Sequence, residues 1–167
     1  MATIYEIEKA VKNAFKKTVK DYRSDKIELE EDCRACFYHH IRPFIDRHKE
    51  LEILLSHRVQ FVENKIIRPD VFIFRKNEYL FAIEIKCDTP QSGYDINRAK
   101  KDKNRLKDFS KTIRRGCFIH FDQMRYNYNY NKQDWHNNYY IELYHIHDVN
   151  ETYCYEVKKS EKKHNNI

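Results

Sequence analysis

A chain of 167 residues with 41% hydrophobic and 35% charged residues suits one packed domain with a very polar surface, and no run reaches the ~18 apolar residues of a membrane-spanning helix. The formal net charge of +6 permits a polyanionic partner without requiring one. Five cysteines (Cys33, Cys36, Cys87, Cys117, Cys154) and no apolar core run between Met1 and Lys20 point to reduced thiols in a cytoplasmic protein rather than a secreted disulfide scaffold.

Residues 3–22 have the period of an amphipathic helix. Ile4, Ile7, Val11, Ala14, Phe15 and Tyr22 recur at three- and four-residue steps, with lysines on the other faces. The apolar stripe is narrow, which favours a packed surface helix over one lying on a membrane. A second helix is expected over about 27–41, with Pro43 disturbing its end. Projected at about 100° per residue, Cys33, Phe37, Ile41 and Phe44 share a stripe and Glu30 lies near it. A glutamate there either snorkels to solvent or meets a partner. Cys33 and Cys36 have CxxC spacing, but no second CxxC follows, so they read as core residues rather than zinc ligands. His40, on the inner side, reads as a core or capping histidine.

Residues 44–55 are expected to form a short helix and a polar loop, and 58–62 a strand entering the sheet. Two apolar strands follow, Val71–Phe74 and Leu80–Lys86, joined by a polar turn. Lys76, Asn77 and Glu78 are expected to form a three-residue loop, so that Arg75 faces Tyr79 and Asp70 faces Glu84. Lys86, two residues beyond Glu84, shares its face. Both faces of this hairpin are apolar, so layers are expected on each side of the sheet.

Residues 87–93 read as a loop and 94–113 as a basic helix in which Lys100, Lys103, Arg105 and Lys107 are candidates to line a phosphate backbone. A solvated helix face is the simpler alternative. Residues 117–121 begin a strand. The Tyr/Asn-rich stretch 122–138, with Arg125 and Tyr128, suits base stacking but equally an exposed edge or partner surface. Residues 139–146 form a late strand, 153–157 pair back on it, and 158–167 are a charged tail. His145 and His147 alternate and share a face; with His120 they could meet a metal, although nothing in the spacing shows convergence.

Asp70, Glu84 and Lys86 are the costly residues. Two neighbouring carboxylates at the end of buried strands repel unless a cation or proton intervenes, and hard oxygen ligands suit Mg²⁺ or Mn²⁺. The bland alternative has Asp70 capping a turn and Glu84 pairing with Lys86 or an arginine.

Pro69-Asp70, with Glu84-Ile85-Lys86, resembles the PD-(D/E)xK nuclease superfamily, and Glu30 matches the upstream helix glutamate many members carry. Glu30-Glu31-Asp32-Cys33-Arg34 also looks like the helix of restriction-type members. The likeness covers about residues 25–121 of a chain read as one domain over 1–167. It implies a restriction-endonuclease-like α/β fold, a mixed four-stranded sheet flanked by helices on both faces, and Mg²⁺-dependent cleavage of phosphodiester bonds, most readily in DNA. On that resemblance Glu30, Asp70, Glu84 and the Ile85 carbonyl hold the metal. Lys86 orients water or stabilises the developing charge, the latter being the role that suits a lysine beside two carboxylates. Gln91 and Lys103 are possible helpers after the motif. A homodimer is a further expectation, because such small nucleases often pair to cut both strands. An RNA nuclease and a catalytically silent nucleic-acid- or protein-binding module on the same fold stand as alternatives.

Overall fold

The computed structural model describes residues 1–24, 27, 29–56, 58–60, 66–76, 78–88, 101–106, 113–122, 140–146 and 151–156. Two helices come first, α1 (Ile4–Arg23) and α2 (Glu30–Arg47). Thr3 caps α1: its hydroxyl accepts from the Glu6 amide while the Glu6 carboxylate accepts from the Thr3 amide at 2.8 Å. The helix buries Ile7, Val11, Ala14, Phe15, Val19 and Tyr22, which is the predicted stripe extended by Val19, with Ile4 at its start only partly buried.

α2 begins at Glu30 rather than near residue 27, with Glu30, Glu31 and Asp32 in its first turn where carboxylates complement the helix dipole. It runs through Pro43 to Arg47. The proline therefore does not end it, although its missing N–H removes one intrahelical bond. The short helix expected over 44–55 is thus replaced by the last turn of α2 and by strand β1 (Glu52–Leu55). The apolar run at Ile53 to Leu55 is too short to distinguish helix from strand by period, and pairing with the hairpin decides it.

The remaining strands are β2 (Val59–Gln60), β3 (Ile66–Ile67), β4 (Val71–Arg75), β5 (Glu78–Asp88), β6 (Arg115–Asp122), β7 (Tyr140–Ile146) and β8 (Glu151–Glu156). Six of them make a sheet in the order β1-β4-β5-β6-β7-β8, larger than the four-stranded sheet expected. β5, β6 and β7 run parallel to their neighbours within that trio, and the other pairings are antiparallel, so the sheet is mixed. β2 does not enter it; β2 and β3 form a separate antiparallel ribbon.

The β4–β5 hairpin differs from expectation at its tip and agrees where it matters. Arg75 pairs with Glu78, leaving two residues between them, and Lys76 takes the left-handed conformation that tight hairpin turns demand (φ 51°). A bulge follows, because Phe74 pairs with Tyr79 while Ile73 pairs with Phe81, which leaves Leu80 as the extra residue. The shorter turn and the bulge cancel. Val71 therefore faces Ile83, and one step further Asp70 comes opposite Glu84.

One face of the sheet, carrying Ile73, Ile83, Ile85, Cys117, Ile119, Phe121, Ile141 and Leu143, packs into a single core with α1 and α2. Phe15 and Tyr22 meet Phe121 with ring centroids 5.5 and 5.3 Å apart. Fully burying each such side chain is worth about 1.5–3 kcal/mol. The opposite face presents Phe72, Ala82, Glu84, Phe118 and Glu142, and the helical stretch 101–106 lies against it. Of the helix expected over 94–113, this part and Ile113, which lies outside any helix, fall among the described residues. Lys100, Lys107, Gln91, Arg125, Tyr128, His147 and the Tyr/Asn-rich stretch from residue 123 to 139 lie outside them.

Candidate active site at the β5 end

Asp70 lies at the bend before β4, where its carbonyl accepts the Ser56 amide at 2.9 Å. Its carboxylate is turned toward β5: Oδ2 accepts the Ile85 amide at 2.8 Å, and Oδ1 lies 3.5 Å from Arg34 Nε. Glu84, in the middle of β5, is only 3% exposed. Its Oε1 has no hydrogen-bond partner, and the nearest cation is Arg105 Nε at 3.6 Å. Burial and then the charge of Asp70 push the Glu84 carboxyl up to about 8, against the pull of Arg105 and Lys86. At neutral pH without a further cation, Glu84 therefore keeps a proton.

Lys86 points its ammonium at two carboxylates, Glu30 Oε2 at 3.2 Å and Asp102 Oδ2 at 3.1 Å. Asp102 is itself buried and also meets the Arg105 guanidinium one turn on. Glu30, half-buried at the start of α2, meets Lys86 and, at 3.6 Å, Arg34. Arg34 thus stands between Glu30 and Asp70 and touches both. The predicted residues are brought to one place, but not as one ring of oxygens: Asp70 and Glu84 face each other, while Glu30 is engaged by two cations. Among the described residues no three His, Cys, Asp or Glu side chains converge as a metal cage.

The fit of a hard divalent ion turns on the buried Glu84 Oε1, which no hydrogen bond holds. That oxygen sits in a buried site beside the Asp70 carboxylate with Arg105 at 3.6 Å, and two adjoining carboxylates carry charge that a hard divalent ion would neutralise. Asp70 and Glu84 suffice to anchor it, and Glu30 joins only if Arg34 and Lys86 give way.

Sequence reasoning missed three residues here. Arg34 was signalled by its four-residue spacing from Glu30. Asp102 was the one acid in the lysine run Lys100 to Lys103. Glu142, flanked by Ile141 and Leu143, carried the same signal as Glu84, a charge inside an apolar strand. It pairs with Lys103 at 3.3 Å. Lys103 is buried against the sheet, its ammonium 5.0 Å from the centre of the Phe118 ring, and burial pulls it below the usual lysine range against the opposing pull of Glu142. Of the candidate backbone-binding cations, Lys103 therefore faces Glu142 and Arg105 faces Glu84 and Asp102.

Among the described residues the histidines do not assemble. His120 pairs in register with Tyr144 and His145 with Phe121, so the two rings lie on opposite faces of the sheet, and His145 packs edge-on against Tyr22 in the main core. His40 bonds Asp21 at 2.6 Å and ties α2 to α1. Cys33 is buried against Cys87; that hydrogen bond, reinforced by burial, holds its thiol far above the ordinary range, as suits a core residue. Among the described residues no helix is long and apolar enough to cross a membrane.

No known family model matches the chain. No curated protein matches it either. Among solved structures it is similar to a chain of a DrdV–DNA complex seen by electron cryomicroscopy, with a TM-score of 0.39 and 14% identity, over 58% of this chain and 66% of that one. What the site does chemically rests on its own geometry.

Proposed function

We propose that this protein is a divalent-metal-dependent nuclease that hydrolyses phosphodiester bonds, with DNA as the foremost substrate, and that its site is Asp70, Glu84 and Lys86. The observation that carries this reading is geometric: the Asp70 carboxylate, fixed by the Ile85 amide at 2.8 Å, lies beside the buried Glu84, two residues from a lysine held by carboxylates.

Asp70, Glu84 and the Ile85 carbonyl would hold Mg²⁺ or Mn²⁺, with Glu30 as an outer partner. The ion, when bound, lowers the pKa of a coordinated water and offsets charge on phosphoryl oxygens. The chain's own residues do the rest. A cation held there would favour the ionised form of Glu84, with the proton released to solvent. The Ile85 amide fixes the Asp70 carboxylate, so its orientation is set before substrate enters. Lys86, anchored by Glu30 and Asp102, offers an ammonium to a non-bridging oxygen of the scissile phosphate, whose charge grows in the transition state. Arg34 and Arg105, each within 3.6 Å of a site carboxylate, would be the guanidinium groups available to a phosphate at this site.

A second reading is a nucleic-acid-binding module without cleavage. It is favoured by the same crowding, since Asp70 meets Arg34, Glu84 meets Arg105, and Glu30 and Asp102 meet Lys86. Incubating the protein with plasmid, single-stranded DNA and RNA under Mg²⁺, Mn²⁺ or EDTA separates the two. Cleavage that needs metal and is lost in Asp70→Ala and Lys86→Ala supports the nuclease. Cleavage surviving EDTA or both substitutions contradicts the mechanism, and binding without cleavage of any substrate supports the module.

A further inference from the structure

α1 and α2 run antiparallel, with the Ala2 amide on Glu50 at one end and Asp21 on His40 further along. Between them opens a groove of about 450 Å³ lined from Glu6 to Lys20 on α1 and from His40 to Arg47 on α2. Lys9, Lys16, Lys17, Lys20 and Arg47 project into it, and all five are exposed. The four lysines meet no carboxylate among the described residues, and Arg47 donates only to the Pro43 carbonyl, at 3.1 Å. The one acid on the wall, Glu6, is committed to capping α1 through Thr3. Half-buried Phe44 and Ala10 supply an apolar floor.

Five unmatched cations along one groove repel each other, and a partner of opposite charge relieves that repulsion. The partner's shape follows from the groove. Lys9 and Lys20 lie eleven residues apart on one helix, about 16 Å at ~1.5 Å per residue. One nucleic-acid strand places a phosphate about every 3.4 Å of rise, so about five phosphates span that length. A linear anion of that charge density matches the groove. The apolar face of α1 is spent in the core at Ile7, Val11 and Phe15, so this helix has nothing to insert into a lipid surface.

We infer that the α1–α2 groove is a second nucleic-acid site, one that grips the phosphate backbone of a strand away from the carboxylates of β4 and β5. Its role as an anchor rests on the nuclease reading above; its affinity for backbone does not. Toward its Lys20 and His40 end the groove points along α2 to the first turn, where Glu30 sits ten residues before His40, about 15 Å along the axis. A strand leaving that end is directed toward Glu30 and Arg34, the α2 residues that meet Lys86 and Asp70 at the edge of the site.

The test is fluorescence anisotropy with short labelled duplex DNA, single-stranded DNA and RNA, titrated at several NaCl concentrations in EDTA, so that cleavage plays no part. The proteins are the wild type, the triple variant Lys16→Gln/Lys17→Gln/Lys20→Gln, and Lys49→Gln as an exposed lysine outside the groove. All three substituted groove positions are on the surface, and an unchanged melting curve confirms the fold. The triple variant is expected to bind at least about ten-fold more weakly, with the slope of log K against log salt reduced by about 2–3, while Lys49→Gln binds as the wild type. Unchanged affinity and slope in the triple variant overturn the inference. So does a wild type that binds none of the three nucleic acids, or one that binds vesicles of anionic lipid and no nucleic acid. Loss of metal-dependent cleavage with groove binding intact would instead strike the nuclease reading alone.

Discussion

The Asp70 carboxylate accepts the backbone amide of Ile85 at 2.8 Å, across the hairpin from its own strand. This bond joins the start of β4 to the residue between Glu84 and Lys86. It makes Asp70 structural and chemical at once: one oxygen positions β5, and the other faces Arg34.

Asp70→Ala is expected to lose both roles and Asp70→Asn only one. The alanine leaves the part-buried Ile85 N–H without its acceptor and takes one of the carboxylates from Arg34, which keeps Glu30, for a loss of about 1–3 kcal/mol in urea unfolding. The asparagine keeps an acceptor for Ile85 and should stay within about 1 kcal/mol of wild type, yet show no metal-dependent cleavage. An equal loss of stability in both variants would mean that the charge, not the hydrogen bond, holds the hairpin end.

Glu84 sets a pH dependence of the metal-free protein. Its carboxyl ionises near the ordinary value of 4.5 when unfolded and at about 8 when folded. Between those values the unfolded state has lost a proton the folded state keeps, so stability falls as pH rises, by up to about 1.4 kcal/mol per unit. Below that window and above about 8 the contribution is flat. Glu84→Gln should remove this slope in chemical unfolding followed from acid to mildly basic pH. Parallel curves for the two proteins would contradict the assignment.

The hairpin register, the face shared by Asp70, Glu84 and Lys86, and the layered α/β class were legible in the sequence, because alternation and apolar runs encode them directly. The turn length was not. A two-residue turn with a bulge at Leu80 and a three-residue turn without one leave the same residues opposed, and only backbone conformation separates them. Nor was the strand at Ile53, whose identity is set by pairing with Ile73 and not by its own period. The charge partners of Lys86 and Glu84 were hardest to see. Asp102 and Arg105 reach Lys86 and Glu84 through the chain's crossover from β5 to β6, a contact between segments that no local pattern announces.

Asp102 should prove a positioning residue for Lys86. Asp102→Asn removes one of the two carboxylates on the ammonium and should lower kcat by on the order of ten- to a hundred-fold with little change in KM. A change confined to KM would assign Asp102 to substrate binding instead.

The Lys103–Glu142 pair should behave as a buried ion pair. Removing either partner alone, as in Lys103→Met or Glu142→Leu, is expected to cost about 3–5 kcal/mol, because a charge is left unmatched beside Phe118. The double substitution should recover much of that loss, and a double-mutant cycle in urea measures it. Additive losses would show that the two charges act separately.

The central claim is that Asp70 and Glu84 together hold a divalent cation. Calorimetric titration of Mn²⁺ into wild type, Asp70→Asn and Glu84→Gln tests it without reference to any substrate. The account predicts one saturable site in the wild type, tightening as pH rises toward 8 and releasing a proton, and absent from both variants. Mn²⁺ binding of equal strength in Asp70→Asn and wild type, or binding without proton release, would contradict it.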